Sequence, residues 1–263
     1  MSNLYATQPE LDLVFPKPRR IWTDPQSKLS VPKDPDANLQ WRVEMLAAAD
    51  KDEDLRVDLY TACSQSLLFF VNAFAFTLRV FESKDGVVKQ AENKHLPYVT
   101  WGIQDTHLLR IEHAIDGGEE LLTDKSRDMG ATWDHVVVLV HRLLFRDDES
   151  HLMISRNEDS VDNLTGLPKN YPFGNVADPG TLFGKIDYVL SRLPEWMTPR
   201  LLRKGMSVIN QDTRTRIDGE SCNATAGSSD RRTSIFLDEM AKMKEAEAIK
   251  RSTRDVTACR LVC

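Results

Sequence analysis

Cysteine is scarce in this chain, and its four cysteines are not spaced as a metal knuckle or a disulfide framework. Cys63, Cys222, Cys259 and Cys263 form no C-x-x-C motif and no secreted pattern, so a reducing compartment is expected. The six histidines are scattered, and no zinc site is expected. Positive charge is not in excess either: 34 Lys and Arg stand against 40 Asp and Glu, a net charge of −6. That balance argues against a protein coated in basic surface for nucleic acid, but leaves room for a local basic groove. Long apolar runs are missing. The most apolar stretch, Leu67 to Phe81, is broken by Asn72, Thr77 and Arg79 and is too short to span a bilayer. The start, Met1-Ser2-Asn3-Leu4-Tyr5, lacks the charged and apolar regions of a signal peptide. No internal repeat or low-complexity tract is visible. These absences predict a soluble intracellular protein without a membrane partner. What is present is 263 residues with 41% hydrophobic content, enough for one large domain or a domain with an appendage.

Six of the twelve prolines fall within the first 35 residues, which predicts an extended arm over residues 1–38, made basic by Lys17, Arg19 and Arg20. From Leu39 to Phe81, the apolar residues Leu55, Leu59, Leu67, Phe70, Val71, Phe74 and Val80 recur at helical steps. Residues 39–93 therefore read as a helical N-terminal subdomain, with a turn at Asp85-Gly86. Residues 94–263 alternate strands and helices. The predicted strands are Leu121-Leu122-Thr123, Leu152 to Ser155 and Ser234 to Leu237, with a hairpin around Gln211-Asp212 and a last strand at Ala258 to Val262. Helices are predicted over Thr132 to Phe145, Leu182 to Leu193, and after Asp238-Glu239 to about Arg254. Such alternation implies an α/β fold with a mostly parallel central sheet flanked by helices.

The first strand runs into Asp124-Lys125-Ser126-Arg127-Asp128-Met129-Gly130-Ala131-Thr132. A phosphate-binding loop follows G-x-x-x-x-G-K-[ST]. Gly130 and Thr132 occupy the second glycine and the hydroxyl positions, Ala131 replaces the lysine, and Lys125 stands where the first glycine belongs. A strand–loop–helix of this kind offers backbone N–H groups and a helix dipole to an anion. Both ends of a loop wrapped around a triphosphate lie near its β- and γ-phosphates, so Lys125 is placed to supply the charge that Ala131 cannot. Thr132 is placed to hold Mg²⁺, and Arg127 to neutralise transition-state charge. A basic capped turn with solvated Lys125 and Arg127 is the plainer alternative.

The apolar run Ser234-Ile235-Phe236-Leu237 ends in Asp238-Glu239, at the carboxyl edge where open α/β sheets bind ligands. One carboxylate suits Mg²⁺ and its neighbour an attacking water: Asp238 as metal ligand, Glu239 as base. Acids at a helix start favoured by the dipole alone would look the same. Upstream, Tyr98, Trp101 and Gln104 could stack on and hydrogen-bond an adenine, with core packing the alternative for Trp101. Together these residues predict an ATP-hydrolysing protein using ATP and Mg²⁺.

The combination resembles the large terminase subunit of tailed bacteriophages, the motor that packages DNA into the procapsid. Lys125 to Trp133 looks like that family's deviant Walker A, with its lysine at the loop's start. Arg231 to Met243 looks like its Walker B. Ile154 to Asp159, Leu182 to Ile186 and Leu193 to Met197 are supportive, and the likeness runs over about residues 65 to 263. It implies an additional-strand (ASCE) P-loop NTPase fold with a helical N-terminal portion. It also implies nucleotide contacts from Lys125, Ser126, Arg127, Asp128, Met129, Gly130, Ala131 and Thr132, with the loop arginine Arg127 answering the γ-phosphate. Gln104 would match the adenine-reading glutamine. The implied partners are double-stranded DNA, the portal protein, the small terminase subunit and further copies in a ring, in the host cytoplasm. Family members continue into a coupling motif and a nuclease domain; this chain stops near where the former would start, so DNA cleavage is not expected from it. Two other functions stay open: a helicase-like P-loop ATPase, disfavoured by Met240-Ala241 after Glu239, and a non-catalytic nucleotide-binding assembly module.

Overall fold

The computed structural model describes residues 21–79, 94–125, 129–162, 180–223, 225–228 and 230–263. A hairpin comes first, β1 (Ile21–Thr23) antiparallel to β2 (Ser30–Pro32). Three helices follow: α1 (Pro35–Ala49), α2 (Glu53–Gln65) and α3 (Leu67–Phe74). Each has a side-chain N-cap, Asp34 accepting from the Ala37 N–H at 3.0 Å, Asp52 from Leu55 at 3.1 Å and Ser66 from Phe69 at 3.2 Å. The extended arm expected over residues 1–38 is thus corrected over 21–38, which fold. Pro32 ends a strand and Pro35 opens a helix, two positions where a missing N–H costs little. Residues 1–20, with the basic cluster Lys17, Arg19 and Arg20, lie outside the described residues.

The helical pattern expected through Phe81 also stops early. After Ala75 the chain turns into β3 (Phe76–Arg79), paired antiparallel with β4 (Lys94–Pro97). Buried Arg42 of α1 marks the break by donating to the carbonyls of Asn72 at 2.8 Å and Ala75 at 2.7 Å, where α3 ends. Val80 and the Asp85-Gly86 turn lie outside the described residues.

The remaining elements are α4 (Gly102–Gly117), β5 (Leu121–Leu122), α5 (Ala131–Phe145), β6 (Ser150–Ser155), α6 (Glu158–Val161), α7 (Leu182–Leu190), β7 (Leu201–Arg203), β8 (Ser207–Asn210), β9 (Arg216–Ser221), β10 (Ser234–Leu237), α8 (Ala246–Ser252) and β11 (Cys259–Val262). The charged helix expected after Asp238-Glu239 to about Arg254 is instead a 3-10 turn (Met240–Lys242) and the short α8. Seven strands form one sheet in the order β5-β11-β10-β6-β9-β8-β7. The first five are mutually parallel, and β8 and β7 continue antiparallel. Register aligns Leu237 with Val262 on one side and Ile154 on the other, so β10, β11 and β6 end level.

All four residues of β10 are buried, as strands covered on both faces require. Alternation splits them: Phe236 joins Met153, Leu261 and the helices α1–α5 and α7 in the larger core, while Ile235 and Leu237 join Leu152, Ile154, Met243 and Ile249 on the other face. The larger core is continuous from Leu59 and Phe70 through Val136, Val140 and Leu143, so the N-terminal helices and the sheet share one interior. Each such aliphatic side chain stabilises the fold by about 1.5–3 kcal/mol on burial. Gly219 of β9 is forced by close approach, since a Cβ there would lie 2.6 Å from both Phe183 and Val161. No helix among the described residues is long and apolar enough to cross a membrane.

Candidate phosphate-binding site

The carboxyl ends of β5, β11, β10 and β6 meet along one edge of the sheet, and the residues that follow them form the site. Thr123 extends β5 by donating its N–H to Val262 at 2.8 Å, after which Asp124 and Lys125 lead into the loop. Ser126, Arg127 and Asp128 lie outside the described residues. The chain returns at Met129 and at Gly130, whose φ of 79° and ψ of 6° are left-handed, and α5 begins at Ala131. Glycine is needed here on two counts: the left-handed backbone, and the Gln104 amide nitrogen, which would lie 3.0 Å from a Cβ. The first N–H groups of α5, Ala131 and Thr132 among them, have no intrahelical acceptor.

Thr132 and Asp238, 106 residues apart in sequence, meet at this edge. The Thr132 hydroxyl donates to Asp238 Oδ1 at 3.0 Å. Asp238 is buried, which pushes its carboxyl above the ordinary range, opposed by the Thr132 hydrogen bond and by the charges of Lys185 and Lys125. A hydroxyl and a carboxylate side by side are hard oxygen donors, the kind Mg²⁺ takes one or two of beside substrate phosphates. The donor chemistry fits that ion.

Glu239 takes a left-handed backbone, φ 54° and ψ 40°, which is strained for a residue with a side chain. Its carboxylate is paired with Lys242 at 2.5 Å and with Arg156, beyond the end of β6, at 3.8 Å. The Lys242 hydrogen bond holds it below the ordinary carboxylate range against partial burial. It is therefore ionised near neutral pH, as a base must be. Lys125 is exposed, yet its positive charge bears on Asp238, Glu239 and the Cys263 thiol alike. Burial pushes that thiol up to about 11.

Beneath the loop lies a hydrogen-bond network that sequence reasoning missed. Asp134, buried on the first turn of α5, accepts from the Tyr98 hydroxyl and from His107 Nδ1 at 2.7 Å, while His107 Nε2 meets the Thr123 hydroxyl at 3.0 Å. Burial pushes the Asp134 carboxyl up, and hydrogen bonds from His107 and Tyr98 pull it back. Next to it His135 stacks on Phe236 at 4.3 Å, and burial drives its imidazole down to about 3, so it is neutral. The one sequence signal is an aspartate on the first turn of a helix whose middle, Val136 to Val140, is entirely apolar.

These contacts remove Tyr98 from the expected adenine platform. Tyr98 is buried with its hydroxyl committed to Asp134, so it offers no face to a base. Gln104 accepts the Trp101 N–H at 3.1 Å and donates to the Met129 carbonyl at 3.5 Å, which ties α4 to the loop. Trp101 is 48% exposed at the start of α4. A cleft of about 360 Å³ opens here, lined by Ile103, Gln104 and Arg110 of α4, Leu122 of β5, and Lys125 and Met129 of the loop.

The basic runs Arg200 to Lys204 and Arg231-Arg232 are mostly consumed in ion pairs. Arg200 binds Asp212, and Arg203 is buried between Asp162 and Asp187. Arg232 is buried against Asp218 at the amino edge of the sheet, opposite the loop, while Arg231 is exposed.

No family model matches the chain. No curated protein matches it. Among solved structures it is similar to the crystal structure of the HK97 bacteriophage large terminase, with a TM-score of 0.47 and 11% sequence identity. That similarity covers 76% of this chain and 37% of the terminase chain, so this chain spans well under half of that protein's length.

Proposed function

We propose that this chain is an ATP-hydrolysing motor domain of the terminase large-subunit type, which drives double-stranded DNA into a procapsid. The observation that carries the proposal is the 3.0 Å contact between Thr132 and Asp238, beside a left-handed glycine at the start of α5. A capped turn and a charged strand end, arising independently, have no reason to bring a hydroxyl and a buried carboxylate together at the same sheet edge. The position of β11, between loop strand β5 and carboxylate strand β10, supports the additional-strand class of P-loop fold.

In this proposal, Thr132 and Asp238 hold Mg²⁺, and Lys125 and the N–H groups opening α5 hold the phosphates. Bound there, Mg²⁺ would neutralise charge on the β- and γ-phosphate oxygens. Glu239, ionised, orients the attacking water and takes its proton. Arg127 is assigned to the γ-phosphate, with Ser126, Asp128, Met129, Gly130 and Ala131 as the remaining loop contacts. Gln104 and Trp101 border the base end, and the apolar part of the nearby cleft is the space available to the base. The portal protein, the small terminase subunit and further copies of the chain are the partners that the motor role requires, in the host cytoplasm.

ATP turnover by the wild type and by Glu239→Ala tests the proposal. Removing a general base costs about 10²–10⁴-fold in rate. A fall of that size with nucleotide still bound supports the motor. Binding without any Glu239-dependent turnover would leave the non-catalytic assembly module as the better account.

A further inference from the structure

One polar side chain at the sheet's carboxyl edge is buried with nothing to bond. Ser155 closes β6 at 1% exposure, and its hydroxyl has no hydrogen-bond partner among the described residues. Its backbone is satisfied, since the Ser155 carbonyl accepts from the Cys222 N–H at 2.9 Å. A buried hydroxyl gives up its hydrogen bonds to water, and proteins rarely leave such a group unpaired. Within the fold, Ser155 therefore carries a cost that an alanine would not.

Strand register sets that hydroxyl beside Asp238. Ile154 lies opposite Leu237, and the Asp238 N–H donates to the Ile154 carbonyl at 2.9 Å, so the ladder runs one step further and puts Asp238 opposite Ser155. Met153 and Phe236 both face the larger core. Two residues on, strand alternation places Ser155 and Asp238 on that same face, from which Thr132 of α5 reaches Asp238. Adjacent strands lie about 4.8 Å apart, a spacing that one water molecule can bridge between side chains.

We propose that Ser155 is a third residue of the magnesium site, its hydroxyl oxygen accepting a hydrogen bond from a water on the metal that Thr132 and Asp238 hold. The assignment rests on the nucleotide reading and extends it. Mg²⁺ dehydrates reluctantly and keeps several waters where protein supplies only one or two ligands. Those waters are strong donors, and a buried, unoccupied acceptor beside the carboxylate fixes one of them. A serine hydroxyl has two lone pairs and rotates to present them. Ser155 is thus a positioning residue, acting on the metal through its water.

The test compares the wild type with Ser155→Ala in two measurements. One is the Mg²⁺ concentration that half-saturates binding of a fluorescent, non-hydrolysable ATP analogue; the other is the Tm of the nucleotide-free protein. Groups that hold a metal's own ligands in place change its affinity by about 10–100-fold, so Ser155→Ala should need at least about tenfold more Mg²⁺. Binding of the analogue in EDTA should match the wild type. The Tm should be equal or higher, because the substitution removes an unpaired hydroxyl and no hydrogen bond. An unchanged Mg²⁺ requirement would overturn the assignment whatever the Tm. A lowered Tm would also overturn it, by showing that the fold itself uses the hydroxyl. A wild type that binds the analogue no better with Mg²⁺ than without, or not at all, would instead overturn the nucleotide reading and the assignment with it. Mg²⁺-dependent binding that Ser155→Ala leaves untouched would sink the assignment alone.

Discussion

At the scale of the residue, the site sets stability against chemistry. Asp238 is a buried carboxylate whose pKa lies above the ordinary 3.8. An acid raised in this way favours the folded state below its unfolded pKa, and that contribution is lost as pH rises through the folded value. At neutral pH the ionised form therefore costs stability. Asp238→Asn keeps an acceptor for Thr132 and removes the buried charge, so it should raise the Tm of the nucleotide-free protein at pH 7 while abolishing Mg²⁺-dependent hydrolysis. A calorimetric scan showing a lower Tm would contradict that account of Asp238. Glu149 behaves in the opposite way. Burial pushes it up, but hydrogen bonds from His151 and Arg142 outweigh burial and hold it at about 2, against 4.5 when unperturbed. Its stabilisation is present above 4.5 and lost as pH falls toward 2, and it is on the order of 3 kcal/mol from the size of the shift. Glu149→Gln should therefore lower stability at pH 7 and flatten the acid limb of a urea-unfolding series measured between those two pH values.

At the scale of elements, the loop is held from below and from the side. Asp134 links α5 to Tyr98, and through His107 to Thr123 at the end of β5. Asp134→Ala leaves the buried Tyr98 hydroxyl unsatisfied and should cost about 1–3 kcal/mol, read as a lower urea midpoint at unchanged m-value. Gly130→Ala combines a left-handed φ with a close Gln104 and should weaken nucleotide binding as well as destabilise, by about 1–2 kcal/mol from the backbone alone. A Gly130→Ala protein with wild-type nucleotide affinity would show that the loop does not need this conformation. Local features such as these were partly legible in the sequence. The apolar run ending in Asp238-Glu239 and the Gly130-Ala131-Thr132 turn are short signals whose chemistry is written in adjacent residues. The hairpin at 21–32 was not legible, because proline density looks the same in an arm as at a strand end and a helix start. Nor was β3, because Phe76 and Leu78 follow a helical run without a proline or glycine to mark the change.

At the scale of the whole molecule, sequence patterning identified an α/β sheet, but strand order depends on pairings that no local pattern carries. That β11 lies between β5 and β10 is a property of the assembled sheet, and it brings Lys125, Thr132, Asp238 and Glu239 to one edge. Lys33 illustrates the same limit. Assigned to the arm by sequence, it is buried, donating to the Thr100 hydroxyl at 2.7 Å and paired with Asp105 at 3.3 Å, which anchors the N-terminal hairpin to the start of α4. We propose that this edge is one catalytic site for a magnesium nucleotide. Its most direct test is a structure with Mg²⁺ and a non-hydrolysable ATP analogue. The expected result is the metal at Thr132 and Asp238, with the Lys125 ammonium on the β- or γ-phosphate. Nucleotide bound elsewhere, or bound in the loop with Lys125 turned to solvent, would contradict it.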